Sequence, residues 1–212
     1  GTIIALEKGP EQDEFFLTFD RLGDQTYVRV PAEPPVPAMP IDLPAQADIG
    51  VRNFAEINAS MAALTQVSSN QSDVSSTFQA LRQQLPSVTD MGSFLASNQM
   101  AVTQLAIRYC DTLVEDTALR NTFFPDFNFN GPVTSVFDET GRNALIVPLL
   151  DRMIGQGIAS QPSRSAVSAE INQLINRLTA CSASNTCSSD VTLNVAKASC
   201  AAVLGSAVVL IQ

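Results

Sequence analysis

Apolar residues recur at intervals of three or four positions along most of the chain from residue 49 onward. This spacing places them on one face of a helix and predicts a series of amphipathic helices that bury that face. The four clearest stripes are Val51, Phe54, Ile57, Met61 and Leu64; Val74, Phe78, Leu81 and Leu85; Val102, Leu105, Tyr109 and Leu113; and Val167, Ile171, Leu174 and Leu178. We therefore expect a mainly α fold, with a helical bundle domain of five to seven helices over residues 49–212.

Breaks in this pattern predict where helices begin and end. Asn121–Thr140 contains prolines and a glycine and is predicted to be a long irregular connection. Pro148 suits the first turn of a helix that runs through Ile158, and Asp190 is a good N-cap for a last helix over Val191–Ile211. The final fourteen residues of that helix carry no charge. Because fourteen residues are too few to span a bilayer, we expect a buried central helix and no membrane span.

The first quarter of the chain has a different pattern. Within residues 1–30, Phe15, Leu17 and Phe19 alternate with their neighbours as in a β-strand, and further strand-like runs lie on either side. We predict a short β-hairpin segment there, which either packs on the rest of the chain or ends the sheet of an upstream domain. Six prolines follow within fourteen residues, so residues 31–48 are predicted to form a Pro-rich linker or an extended arm along the bundle.

Composition narrows the classes of function. The chain has 212 residues, a formal net charge of −9, only two lysines and neither histidine nor tryptophan. A nucleic-acid-binding protein needs a basic face, so we expect no nucleic acid partner. The missing histidine removes the commonest general base and metal ligand. Residues 1–50 carry nine acidic and three basic residues, whereas the rest is nearly balanced, which supports two units of different character.

Four cysteines, Cys110, Cys181, Cys187 and Cys200, occur without a Cys-x-x-Cys pair. Disulfides fit this arrangement better than a zinc site, and they indicate an oxidising compartment; buried free thiols are the alternative. Cys181 and Cys187 flank a short turn, which favours a bridge between them and leaves Cys110 to pair with Cys200. The other two connectivities, 110–181 with 187–200 and 110–187 with 181–200, stay open.

Candidate catalytic groups are few. Without histidine, a cysteine nucleophile has no basic partner of the usual kind, and neither lysine lies in a Ser-x-x-Lys pattern. A pair of carboxylates could hydrolyse a polysaccharide, although each of the acids fits the polar face of a helix equally well. The candidates are Glu56, Asp111, Glu115, Asp151 and Glu170. We expect no catalytic residue and keep this hydrolase as the alternative.

One loop has a partial resemblance to a calcium-binding motif. Asp126, Asn128 and Asn130 stand at alternate positions before Gly131, as oxygen ligands do in the first half of an EF-hand loop. The twelfth position of such a loop is a bidentate glutamate, but here it is Phe137. The same residues also suit a turn fixed by flanking aromatic side chains. These three residues are therefore the candidate calcium ligands, and no other cofactor is expected.

Several strings of the sequence resemble the C-terminal helical region of large exported bacterial surface proteins that carry laminin-G-like, concanavalin-type domains upstream. The strings are Phe16–Asp24, Ile49–Met61, Gln99–Cys110 and the end of the chain from Cys200. The resemblance includes no catalytic motif. It implies a module attached to upstream domains of the same polypeptide, at the cell surface or in the periplasm of a bacterium.

Together these observations predict a noncatalytic structural or adhesion-type module of an exported multidomain protein. Its expected partners are those upstream domains and a cell-surface protein or polysaccharide. The rival functions are the carboxylate-pair hydrolase acting outside the cytoplasm and a domain that binds calcium or a small ligand.

Overall fold

The computed structural model describes residues 49–155, 161–180 and 187–212, which belong to one compact unit spanning Ala47–Gln212. The predicted hairpin segment (1–30) and Pro-rich arm (31–48) lie outside the described residues. The helices are α1 (Phe54–Thr65), α2 (Ser72–Leu81), α3 (Ala96–Glu115), α4 (Thr117–Phe123), α5 (Val133–Val136), α6 (Glu139–Met153), α7 (Arg164–Leu178), α8 (Ser189–Leu204) and α9 (Ala207–Leu210), with a 3₁₀ turn at Met91–Ser93.

The mainly α prediction is confirmed for the described residues, but the predicted number of helices was too low. Those residues form nine α-helices rather than five to seven. The count rises because α4, α5 and α9 have only seven, four and four residues. One or two turns are too short for a repeating apolar stripe to show in the sequence.

The region between α3 and α6 differs most from the prediction. The predicted irregular connection Asn121–Thr140 contains the end of α4, all of α5 and the start of α6. Pro148 lies inside α6 rather than in its first turn, since Asp138 caps that helix by accepting a hydrogen bond from the Gly141 amide at 2.8 Å. Gly141 resembles a helix breaker in the sequence. A Cβ atom there would lie 1.7 Å from the carbonyl oxygen of Val136, so close packing requires glycine.

The last predicted helix is divided in two. α8 begins after Ser188, not after Asp190, and ends at Leu204; α9 follows from Ala207. The break lies at Gly205, whose amide donates to the carbonyl of Ala201, and a Gly-Ser pair is a common place for a helix to bend or end. The prediction of a buried central helix is confirmed, because α8 packs against α3, α5, α6 and α7.

Helix α3 is the other central element. One face of it is fully buried and contacts α1, α2 and α8. Its fully buried side chains are Ala101, Val102, Leu105, Ala106, Tyr109, Cys110, Leu113 and Val114. The stripe predicted from the sequence is thus the face that α3 presents to the core.

A cluster of phenylalanines extends the core beyond α3. Phe124 and Phe129 have ring centroids 5.8 Å apart, and Phe127 and Phe129 pack edge to face at 4.8 Å. Phe123 and Phe137 complete the cluster, and all five rings are buried. Aromatic burial therefore orders the stretch in which the helices are shortest.

Arginine side chains close several helix ends. The last carbonyls of a helix have no partner within it, and a guanidinium can donate to them. Arg120 Nη1 donates to the Val114 carbonyl of α3 at 3.2 Å, and Arg152 Nη2 donates to the Thr122 carbonyl of α4 at 3.3 Å. Arg142 Nε donates to the Phe137 carbonyl after α5 at 2.9 Å, and Arg52 Nε donates to the Val209 carbonyl of α9 at 3.0 Å. Three of these four helices are the short ones, which have few carbonyl bonds of their own.

Candidate functional site

Charged side chains of α3 and α8 meet in one cluster, which consists of Arg108, Asp111, Glu115 and Lys197. Lys197 Nζ lies 2.7 Å from Asp111 Oδ1 and also donates to Glu115 Oε1. Arg108 Nη1 donates to the other oxygen of Asp111 at 3.1 Å. The i, i+3 and i, i+4 spacings along α3 place Arg108, Asp111 and Glu115 on one face, opposite the lysine of α8. In this charged cluster the structure brings two of the candidate acids, Asp111 and Glu115, close together.

The lysine of the charged cluster is held in its ammonium form. Burial of Lys197 lowers its pKa, but the hydrogen bonds and negative charges of Asp111 and Glu115 outweigh that cost, so the pKa is raised. A catalytic lysine nucleophile needs the opposite shift, because the neutral amine is the reactive form. The charged cluster is therefore arranged as an ion-pair network across the two helices.

Beside the charged cluster, the same two helices are joined covalently. Cys110 of α3 and Cys200 of α8 form a disulfide with a Cα–Cα distance of 5.8 Å, and both residues are fully buried. This bridge confirms one predicted pairing and excludes both alternative connectivities. Cys187 is also disulfide-bonded, whereas its predicted partner, Cys181, lies outside the described residues.

A groove of about 670 Å³ runs between α3, α7 and α8, and Asp111 and Lys197 of the charged cluster are among its lining residues. We call it the α3/α7/α8 groove. Its apolar lining comes from Ile107, Leu174, Leu178, Ala198, Ala201, Ala202 and Gly205, and its uncharged polar lining from Gln99, Thr103 and Asn194. Ile107 remains 51% exposed. The volume falls within the range of small-ligand sites, and the small side chains of α8 make the surface concave.

The other candidate acids are placed apart, and two of the three have structural partners. Glu56 forms a capping box at the start of α1, where its Oε2 accepts the Asn53 amide at 2.8 Å. Asp151 pairs with Arg164, and Glu170 is exposed on α7. Of the five predicted carboxylates, the structure brings together only Asp111 and Glu115.

The predicted calcium loop has the geometry of an aromatic-anchored turn. Asn128 Oδ1 accepts a hydrogen bond from the Asn130 amide at 3.0 Å, while Asp126, Asn128 and Asn130 are all exposed. The carbonyl of Gly131 accepts from Thr192 Oγ1 of α8 at 2.8 Å, which fixes the end of the loop. Within the described ranges, no three Asp, Glu or Cys side chains are grouped to hold a metal ion. Calcium binding at these residues stays a prediction.

One polar contact, between the buried Tyr109 and the half-buried Asn58, has no signal in the sequence. The Tyr109 hydroxyl contacts Asn58 of α1, at 2.7 Å from Oδ1 and 3.1 Å from the carbonyl oxygen. Burial raises the pKa of Tyr109 to about 12. The apolar stripe of α3 identifies Tyr109 as a core residue, but it does not reveal that the hydroxyl needs a partner on another helix.

The role of Lys197 was also missed, although a signal exists. Lys197 is the only lysine after residue 8, and it stands three residues before a cysteine of the buried helix. A single long cation on an otherwise weakly charged helix needs an acidic partner on the neighbouring helix, which the i, i+4 pair of Asp111 and Glu115 supplies.

Within the part of the chain that the structure describes, no helix is long and apolar enough to cross a membrane. In comparisons with known proteins, no family model matches the chain, and neither a curated protein nor a solved structure is significantly similar to it.

Proposed function

We propose that the helical domain is a noncatalytic structural or adhesion-type module of an exported multidomain protein, located at the surface or in the periplasm of a bacterium. The observation that carries this proposal is the buried Cys110–Cys200 bridge between the two central helices. Structural disulfides form and persist in oxidising compartments and are rare in a reducing cytoplasm. The sequence resemblance to exported bacterial surface proteins supports the same location.

The noncatalytic part of the proposal rests on how the charged groups are used. Asp111 and Glu115 are bound to Lys197, Glu56 caps α1, and Asp151 is paired with Arg164. Each of these contacts stabilises a helix end or joins two helices. Four of the five candidate acids are thus engaged in holding the fold, and the fifth, Glu170, is exposed on α7.

The exported location is tested by producing the whole chain in two forms, one with a cleavable export leader and one retained in a reducing cytoplasm. We expect the exported form to be the more stable by at least about 4 kcal/mol, because the Cys110–Cys200 bridge closes a long loop of the unfolded chain and the bridge of Cys187 is also absent from the reduced form. Urea denaturation of both purified forms measures this difference. A cytoplasmic form with reduced thiols and equal stability would contradict the proposal.

The adhesive role is tested by binding of the fluorescently labelled protein to panels of bacterial surface polysaccharides and to intact cells. Saturable binding that unlabelled protein displaces would support adhesion. If the protein binds neither the polysaccharides nor the cells, the adhesive role is rejected and the structural role remains.

The rival function, a polysaccharide hydrolase, has one observation in its favour, which is that Asp111 and Glu115 converge on the same ammonium group. A glycosidase also needs one carboxyl group in apolar surroundings that keep it protonated. Glu115 is instead 59% exposed. Release of reducing ends from the same polysaccharides, lost in a variant with both Asp111→Asn and Glu115→Gln, would establish the hydrolase and overturn the noncatalytic assignment.

The calcium-binding alternative is tested separately by thermal unfolding with and without calcium. Preferential binding to the folded state would raise the unfolding temperature, and Asp126→Ala would abolish that rise. An equal response of wild type and Asp126→Ala would show that this loop does not bind the ion.

A further inference from the structure

We draw no further inference here: the strongest candidate, the α3/α7/α8 groove with its exposed Ile107 and its floor of small α8 residues, is an apolar surface for which nothing in the described part of the chain shows what covers it.

Discussion

The pair formed by α3 and α8, which we call the stapled pair, and the phenylalanine-rich segment from Thr117 to Phe137 are ordered by different means. The stapled pair consists of helices of twenty and sixteen residues with buried apolar stripes, a disulfide and an ion-pair network. The phenylalanine-rich segment has helices of seven and four residues, which two arginine donors and five packed rings hold in place.

This difference shows that long and short helices are specified by the sequence in different ways. Long helices repeat their pattern often enough to be identified from sequence, and their stability comes from burial of a continuous face. Short helices depend on side-chain contacts from outside the helix, such as that of Arg152 with the Thr122 carbonyl, so their order is a property of the assembled core. Variants of the two regions should therefore lose stability for different reasons.

The largest effect is expected from removing the disulfide that joins the stapled pair. In a variant with both Cys110→Ala and Cys200→Ala, the free energy of unfolding should fall by about 4 kcal/mol, because the bridge closes a loop with a sequence separation of 90 residues. Urea denaturation measures the loss. A change below about 1 kcal/mol would show that α3 and α8 are held together without the bridge.

Glycine substitution tests close packing beside the phenylalanine-rich segment. A methyl group at Gly141 would meet the Val136 carbonyl at 1.7 Å, whereas at Gly92 it would meet only the flexible side chain of Asp90 at 3.2 Å. We expect Gly141→Ala to cost about 3 kcal/mol through overpacking. Its matched control, Gly92→Ala, should change stability by less than about 1 kcal/mol.

Equal effects of the two glycine variants in thermal and urea unfolding would contradict this explanation for the start of α6.

Arginine capping is expected to have a smaller effect. The guanidinium of Arg120 donates to the Val114 carbonyl and lies 5.1 Å from the centroid of the Phe129 ring. Lysine cannot reproduce both contacts, so Arg120→Lys should cost about 1 kcal/mol. The control is Arg177→Lys at an exposed position of α7, and the measurement is again the free energy of unfolding. No difference between the two would mean that Arg120 acts only as a surface charge.

Alkaline pH should weaken the contact between α1 and α3. The pKa of Tyr109 is about 12 in the folded protein and 10 in its ordinary state. The folded state therefore holds the Tyr109 proton more tightly than the unfolded state does. The contribution of the protonated hydroxyl to the free energy of unfolding is complete below pH 10 and is lost as the pH rises to about 12. The variant Tyr27→Phe leaves Tyr109 as the only tyrosine in a chain without tryptophan, so tyrosinate absorbance reports on it alone. Ionisation near pH 10 in folded protein would contradict the burial of its hydroxyl.

The smallest effect is expected in the charged cluster. Lys197→Met leaves Asp111 and Glu115 without their common partner, and we expect a loss of about 1 kcal/mol or less because the carboxylates are partly exposed. The pKa of Lys197 is raised, so its contribution is present below its ordinary pKa and is lost only as the pH rises above it. Urea unfolding at neutral and strongly alkaline pH measures this; an equal difference between wild type and variant at both pH values would contradict the ion pairing.

The spacing of apolar residues was sufficient to predict α3 and α7, and the uncharged run at the end of the chain was sufficient to predict that α8 is buried. The Cys110–Cys200 bridge was the favoured pairing, because the short sequence spacing of Cys181 and Cys187 favours a bridge between those two, although two other connectivities stayed open until the structure excluded them. Gly141 and Pro148 misled the prediction, since both are typical helix breakers, and only the assembled core shows that close packing against Val136 requires glycine at position 141. Contacts such as that between Tyr109 and Asn58 join distant positions without any local pattern.

The same limit applies to the candidate site. Asp111 and Glu115 could be identified as neighbours on a helix face, but their convergence on Lys197 depends on how α3 and α8 align. That alignment is fixed by the disulfide and by the packing of the buried faces of α3 and α8. The apolar pattern of each helix does not by itself specify this alignment.

The most direct test of the central claim is peptide mapping of the exported protein after its free thiols have been alkylated under denaturing, non-reducing conditions. The structure predicts a linked pair of peptides that contain Cys110 and Cys200, with neither residue alkylated. Alkylated Cys110 or Cys200, or a link from either to another cysteine, would contradict the stapled pair and with it the proposed exported module.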